Sequence, residues 1–277
     1  MRVISWNCHR ASARSKVWDY LIELDPDVAL LQEVCGIPQF IEDYYSIIQQ
    51  PPVRKNGSPQ NFMTSVLVRG SFGNRIVLKA LEPWVNAELA RFSGNLVGIE
   101  IQPKHGPSLN IICIYSPAWP VDKARLVDID VTSVRLTQNR NVWVTDLLWA
   151  ALSLNPPQAN DAWIIGGDLN MCETFDAWGG RPRGNREYLD KMEKLGLVDC
   201  LRYKKGDLTP TYKTLGKNTI TAQIDHLFVT DTLRLNLAAC DTGCRDRVFG
   251  GMLSDHLPIV ADFATDLRRP FRETKPL

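Results

Sequence analysis

The chain has 277 residues, 44% of them hydrophobic and 23% charged, with a formal net charge of +1. This composition excludes a disordered chain and is ample for a large core. The balanced charge excludes a global field that draws the protein to nucleic acid or membrane, so any polyanion must be held by local patches.

Residues 3–7 form a first apolar strand directly after Met1-Arg2, which leaves no room for a signal segment, and no apolar run reaches membrane-spanning length. The expectation is a cytoplasmic protein without membrane contact. Seven cysteines include no C-x-x-C pair, and several sit in apolar runs, as reduced thiols do. Val17, Tyr20, Leu21 and Leu24 share one face of a helix that Asp25-Pro26 stops, and residues 28–33 form a second buried strand. The opening is therefore β-α-β, which predicts neighbouring parallel strands with Asn7 and Glu33 at corresponding ends. Glu33 after an apolar run is a salt-bridge partner or a metal ligand.

The spacing then predicts an amphipathic helix over 37–48 and a basic, Pro- and Gly-rich loop over 51–60 that carries Arg54. Strands follow over 65–68, 75–81, 96–102 and 109–115, the last ending at Tyr115. Residues 122–154 are predicted mostly helical, with Trp143, Leu147, Leu148 and Leu152 as core positions. In 162–170, an apolar run of strand length meets two glycines and hands over to Asp168 and Asn170. Period-two alternation points both side chains the same way, so one can hold a cation while the other donates to an anion such as phosphate. Next come a loop with Trp178, Arg181 and Arg183, able to stack a base and hold phosphates, and a helix over 185–194 ended by Gly196. A strand over 219–229 carries Asp225-His226, and Ser254-Asp-His-Leu-Pro258 precedes the last strand, 259–263. No repeat or linker divides the chain, which predicts one domain over 1–266 and a charged tail over 267–277.

Asn7, Glu33, Tyr115, Asp168, Asn170, Asp225, Asp255 and His256 thus come from strand ends in six separate segments, and one shared site explains them better than six coincidences. Carboxylates with amide support suit a hard cation such as Mg2+, and the lack of clustered His and Cys argues against structural zinc. With a histidine base added, the chemistry is attack of water on phosphorus.

The motifs Ser5-Trp-Asn-Cys8, Leu31-Gln-Glu-Val34, Ile114-Tyr-Ser-Pro117, Gly167-Asp-Leu-Asn170, Ile224-Asp-His226 and Ser254-Asp-His-Leu-Pro258 resemble, in order, those of the endonuclease/exonuclease/phosphatase superfamily. The resemblance implies an α/β fold, a four-layer α/β sandwich of two face-to-face sheets flanked by helices. It implies Glu33 as the main ligand of Mg2+, with Mn2+ able to substitute, and Asn7 and Asp255 assisting. His256 is the implied base, oriented by Asp225; Asp168 positions the water, Asn170 and Tyr115 contact the phosphate, and His226 is structural. Tyrosine at 115 resembles the exonuclease III, abasic-site and LINE-retrotransposon endonucleases, which makes DNA the expected partner, with no obligate protein partner. Arg10, Arg54, Trp178, Arg181 and Arg183 are the candidate substrate contacts. Cys8-His-Arg10 departs from the glycine to which those nucleases usually run. A phosphatase or phosphodiesterase on a lipid or small molecule is the alternative, supported by Leu208-Thr-Pro-Thr-Tyr212, and a non-catalytic binding module is the alternative of another class.

Overall fold

The computed structural model describes residues 1–180, 183–214 and 219–264, without the side chains of 178–180. The 267–277 tail lies outside the described residues. Strands β1 (Arg2–Ala11) and β2 (Val28–Val34) are parallel neighbours joined by helix α1 (Val17–Leu24), as a β-α-β opening requires. Helix α1 buries Val17, Trp18, Tyr20 and Leu21 and stops at Asp25, whose left-handed backbone returns its N–H to the carbonyls of Leu21 and Ile22.

The expected helix over 37–48 is instead one turn, α2 (Gln39–Glu42), followed by strand β3 (Ser46–Gln50), which pairs antiparallel with β4 (Met63–Val68). Short apolar runs fit either period, and the ladder that sets Ile47 opposite Leu67 and Ile48 opposite Val66 decides the outcome. The strand expected at 75–81 lies earlier, as β5 (Gly70–Arg75). It is followed by a helix the sequence reading lacked, α3 (Pro83–Arg91), which opens on a proline with φ already suited to a first turn. Strands β6 (Leu96–Pro103) and β7 (Leu109–Tyr115) then pair antiparallel.

Of the helix expected over 122–154, only a 3-10 turn (Lys123–Leu126) and α4 (Val144–Leu154) form. Between them Asp130 accepts from the Thr132 N–H and Asn139 from the Asn141 N–H, local bonds that compete with a helical backbone. Strand β8 (Trp163–Asp168), a 3-10 stretch (Glu173–Gly180) and α5 (Asn185–Lys194) follow. Short β9 (Val198–Asp199) leads into α6 (Cys200–Lys205), which Asp199 caps. The strand expected over 219–229 is two. A ribbon of β10 (Tyr212–Thr214) and β11 (Thr219–Ala222) is separated from β12 (Asp225–Val229) where the Thr211 hydroxyl accepts from the N–H groups of Ile224 and Asp225. Helix α7 (Asp231–Arg234), strand β13 (Leu237–Thr242), a π-helical turn (Asp246–Gly250) and strand β14 (Ile259–Phe263) complete the described residues.

Two six-stranded mixed sheets result, ordered β13-β14-β1-β2-β4-β3 and β5-β6-β7-β8-β12-β9. Alternation along the strands builds the layers. On β1, Val3 packs between the sheets with Val28, Ile111 and Ile164, whereas Ile4, Trp6 and Cys8 pack outward against α1. The outer face of the second sheet is covered by α3, α4 and α5 through Leu89, Leu148 and Met192. The protein is thus an α/β sandwich of two sheets with helices outside, and equivalent strand ends of both sheets meet at one end.

Gly167 lets β7 and β8 approach there. Its φ is +150°, and an added Cβ meets the Ile114 carbonyl oxygen at 1.9 Å. Gly167→Ala is expected to destabilise the fold by about 2–4 kcal/mol through strain and clash, measured as a lower urea midpoint with unchanged slope; an unchanged midpoint contradicts this reading of the β7–β8 contact.

Candidate active site

Irregular register on the first sheet builds one wall of the site. Strands β1 and β2 are in step from Val3 opposite Val28 to Asn7 opposite Gln32, then jump to Ala11 opposite Val34, and β2 slips against β4 between Leu31 and Val34. In these slips His9, Arg10 and Glu33 take left-handed backbone, with φ of 47°, 58° and 56°. Bulges re-aim side chains, and non-glycine residues held so cost roughly 1–3 kcal/mol each. The other wall needs no irregularity: Tyr115 is opposite Asp168 and Asp168 opposite Asp225, a row across three adjacent strands.

The segment before β14 completes the site. The Ser254 hydroxyl donates to the Asn7 carbonyl at 2.7 Å and accepts from the His256 N–H at 3.0 Å, while the Trp6 indole donates to the His256 carbonyl at 2.8 Å. Two contacts then cross between the sheets. Asn7 Nδ2 donates to Asp168 Oδ2 at 3.0 Å and reaches Glu33 Oε1 at 3.4 Å, and His256 Nδ1 lies 2.9 Å from Asp225 Oδ2. Ligand atoms of Asp168, Asp225 and His256 lie within 4.8 Å of one another, all buried, a group that can hold a metal ion. Asp255 Oδ1 is 3.9 Å from His256 Nε2 and 2.9 Å from His9 Nδ1, yet it is a buried oxygen without an aligned hydrogen bond. Hard oxygen donors on several strands, one of them buried without an aligned hydrogen bond, fit a divalent cation.

Charge at the buried centre of this site is strongly perturbed. Burial pushes the Asp168 carboxyl well above its ordinary range, with His256 opposing and Asp225 reinforcing that shift. Burial by itself lowers the His256 value, but Asp225 and then Asp168 outweigh it and hold the imidazolium. Burial, then Glu33 and Asp168, push the Tyr115 phenol up, so it stays a neutral O–H donor.

Asn170 corrects one expectation. Strand β8 ends at Asp168 and Asn170 is left-handed (φ 50°), so alternation does not set its direction. Its backbone N–H instead donates to Asp168 Oδ1 at 2.9 Å, and its Nδ2 donates to the Ser116 carbonyl at 2.7 Å and Asp168 Oδ2 at 3.2 Å. Arg10 Nε lies 3.8 Å from Glu33 Oε2, and its guanidinium sits 5.7 Å from the Phe62 ring, which meets the Tyr115 ring edge-on. Arg183, Asn170 and Ser116 line a cavity of about 80 Å3 beside the site. Arg54 is exposed in its loop, where its backbone N–H bonds the Ser58 carbonyl, and among the described residues its side chain has no contact with the site. Arg181 and the Trp178 side chain lie outside the described residues. His226 is buried and turned away, with Nδ1 2.6 Å from Asp199 and Nε2 3.1 Å from the Met171 carbonyl. The reading from sequence missed His9, Ser254 and Tyr212, whose ring centroid is 4.9 Å from that of His256. Ser254 and Tyr212 stood in motifs already singled out, but only the bulge shows where His9 points.

The two shifts act on stability in the same direction. Asp168 has a folded value above its unfolded one, so the unfolded chain loses that proton first and stability falls as pH rises above about 4. His256, also raised, contributes stability that is complete below about pH 6.5 and lost as pH rises through its folded value. Urea denaturation in chelator should therefore show a metal-free fold less stable at pH 8 than at pH 5, by on the order of 1–3 kcal/mol, and Asp168→Asn should flatten the profile. A metal-free fold that gains stability over that interval contradicts the assignment.

A comparison with the curated proteins finds no match. Among solved structures, an AP endonuclease from Archaeoglobus fulgidus shares 16% identity at a TM-score of 0.67, over 95% of this chain and 99% of that one. The 3' phosphatase NExo (D146N) from Neisseria, bound to product DNA hairpin, shares 15% at 0.61, over 95% and 99%. The APE2 catalytic domain of Xenopus laevis shares 17% at 0.63, over 95% and 91%. At such identities the likeness is one of fold. Residues 4–256, which run from the first strand to the buried histidine, match the model of the Endonuclease/Exonuclease/phosphatase family, and the chain belongs to that family.

Proposed function

We propose that this protein is a divalent-metal-dependent phosphodiesterase that hydrolyses nucleic acid, DNA in the first place, with Mg2+ as the working ion. The observation that carries this reading is the cross-sheet meeting of buried Asn7, Asp168, Asp225 and His256 with half-buried Glu33 and Asp255 in one cluster. Glu33, with Asn7 and Asp255, is assigned to the metal, and the tight Asp168 group supports Asp168 as a further oxygen donor. A bound Mg2+ supplies a Lewis acid for the phosphate oxygens and a positive charge that opposes the imidazolium of His256.

The chain's own groups divide the remaining work. Asp225 holds Nδ1 of His256, and in the neutral imidazole the unprotonated Nε2 is left to take a proton from water. The water oxygen bonds to phosphorus, the P–O ester bond breaks, and the departing oxygen leaves with the bonding pair and is then protonated. Asp168 positions the water. Tyr115 donates its O–H to the phosphate, and Asn170 joins by exchanging its longer contact, the one to Asp168 at 3.2 Å. Arg10 beside Glu33 and Arg183 beside Asn170 are the cations placed to meet a polyanion. The abasic-site and DNA-bound neighbours support the same substrate class.

One observation favours a second reading. Tyr212 and Leu208 pack with Ala222 and Ile224, and Tyr212 touches His256, so an apolar wall flanks the site and suits a phosphate ester of a lipid or small molecule. Purified protein with Mg2+ or Mn2+ against plasmid, abasic duplex, single-stranded DNA, RNA, phosphoinositide and sphingomyelin separates the two. Cleavage of nucleic acid alone, abolished by chelator, supports the first; turnover of lipid alone overturns it.

Glu33→Gln should abolish Mg2+-dependent turnover with little change in melting temperature. His256→Ala should cost roughly 10²–10⁴-fold in single-turnover rate. Asp225→Asn removes the carboxylate that raises His256, so the acidic limb of the pH–rate profile should move to lower pH while the plateau falls. The Asp225→Asn/His256→Ala double variant should be little worse than the worse single; additive losses contradict a working pair. Arg183→Ala should weaken DNA binding and flatten its salt dependence by about one unit of log–log slope, whereas an unchanged slope places Arg183 off the DNA path.

A further inference from the structure

We propose that Arg10, a permanent cation, and His9 beside it form a latch on the metal carboxylates, which a substrate phosphate releases, so that cation and phosphate bind cooperatively. The proposal rests on reading the site as a metal-dependent phosphodiesterase. It begins at the bulge in β1, where two consecutive non-glycine residues are left-handed and each lands on a different carboxylate: Arg10 on Glu33 and His9 on Asp255. Glycine suits that backbone better. Retaining two large polar side chains there opposes local preference, and the side chains are what the strain delivers to the site.

The geometry makes the contacts exchangeable. Glu33 turns Oε1 toward Asn7 at 3.4 Å and Oε2 toward Arg10 at 3.8 Å, so its second oxygen is engaged by a permanent cation. The guanidinium lies over the Phe62 ring and its side chain is 61% exposed, while that of His9 is 52% exposed. Ion pairs this open to solvent are weak, and a phosphate offers a guanidinium paired hydrogen bonds of better fit. A divalent cation and Arg10 both draw on the negative charge of Glu33 and therefore compete. A phosphate that takes Arg10 removes the competitor, and by linkage the cation raises the affinity for phosphate by the same factor. Free protein then holds its metal weakly, and the assembled site forms on substrate.

Calorimetric titration of Mg2+ tests this in a His256→Ala background, which keeps DNA intact. The parent is compared with Arg10→Gly, Arg10→Lys and His9→Gly, each alone, with inorganic phosphate, and with a short DNA duplex. Glycine fits the left-handed backbone, so both Gly variants fold. Arg10→Gly is expected to bind Mg2+ alone roughly tenfold more tightly than the parent, His9→Gly to shift the same way, and Arg10→Lys to restore the parent value. Phosphate or duplex should tighten Mg2+ binding in the parent by a similar factor and scarcely at all in Arg10→Gly. A higher melting temperature in Arg10→Gly with unmoved Mg2+ affinity, or equal tightening by phosphate in both proteins, overturns the latch. Tightening by inorganic phosphate but not by duplex retains the latch and overturns the nucleic-acid reading.

Discussion

Everything at this site depends on two hydrogen bonds that cross from one sheet to the other, Asn7 to Asp168 and His256 to Asp225. Each partner by itself is a liability: a carboxylate removed from water loses several kcal/mol of hydration that one neutral neighbour does not return. Together they divide the problem. The Asn7 amide spans two carboxylates, and the imidazolium satisfies a third. The apolar packing between the sheets, from Val3 to Phe263, holds the two strand ends in register, so the site inherits its precision from the core.

Strain is distributed unevenly around that centre. The second sheet presents Tyr115, Asp168 and Asp225 by ordinary register, whereas the first turns out Glu33, His9 and Arg10 through paired slips with left-handed residues. The second sheet thus presents Asp168 and the Asp225 that holds His256, and the strained stretch of the first presents Glu33 with Arg10 and His9 beside the carboxylates. A bulge places side chains that no alternating pattern can, which is why such irregularities gather at working sites.

The perturbed acid and base follow from the same burial. Asp168 is held toward its neutral form and His256 toward its charged form, the first mainly by burial and the second by the carboxylates around it.

Much of the frame was legible in the sequence. The β-α-β opening and the strands carrying Ile111, Ile164 and Ile259 follow from apolar period and turn residues, and each of these strands ends close to where that pattern stops. The polar residues beside these apolar runs could likewise be named, because they stand out locally, although Asn170 lies past the end of its strand. Where local patterns were ambiguous, long-range pairing decided. Ile47 and Ile48 became a strand because β4 was there to receive them, and residues 127–143 stayed out of a helix because their Asp and Asn side chains bonded nearby backbone. Direction was decided only by the tertiary structure. That Asn170 folds back on Asp168, that His9 and Arg10 reach Asp255 and Glu33, and that Arg183 shares a cavity with Asn170, all depend on register slips and loop closure between residues far apart in the chain. Sequence by itself determined which residues were available and which strands carried them; the tertiary structure decided which atoms face one another, because a one-residue slip reverses a side chain without changing a letter.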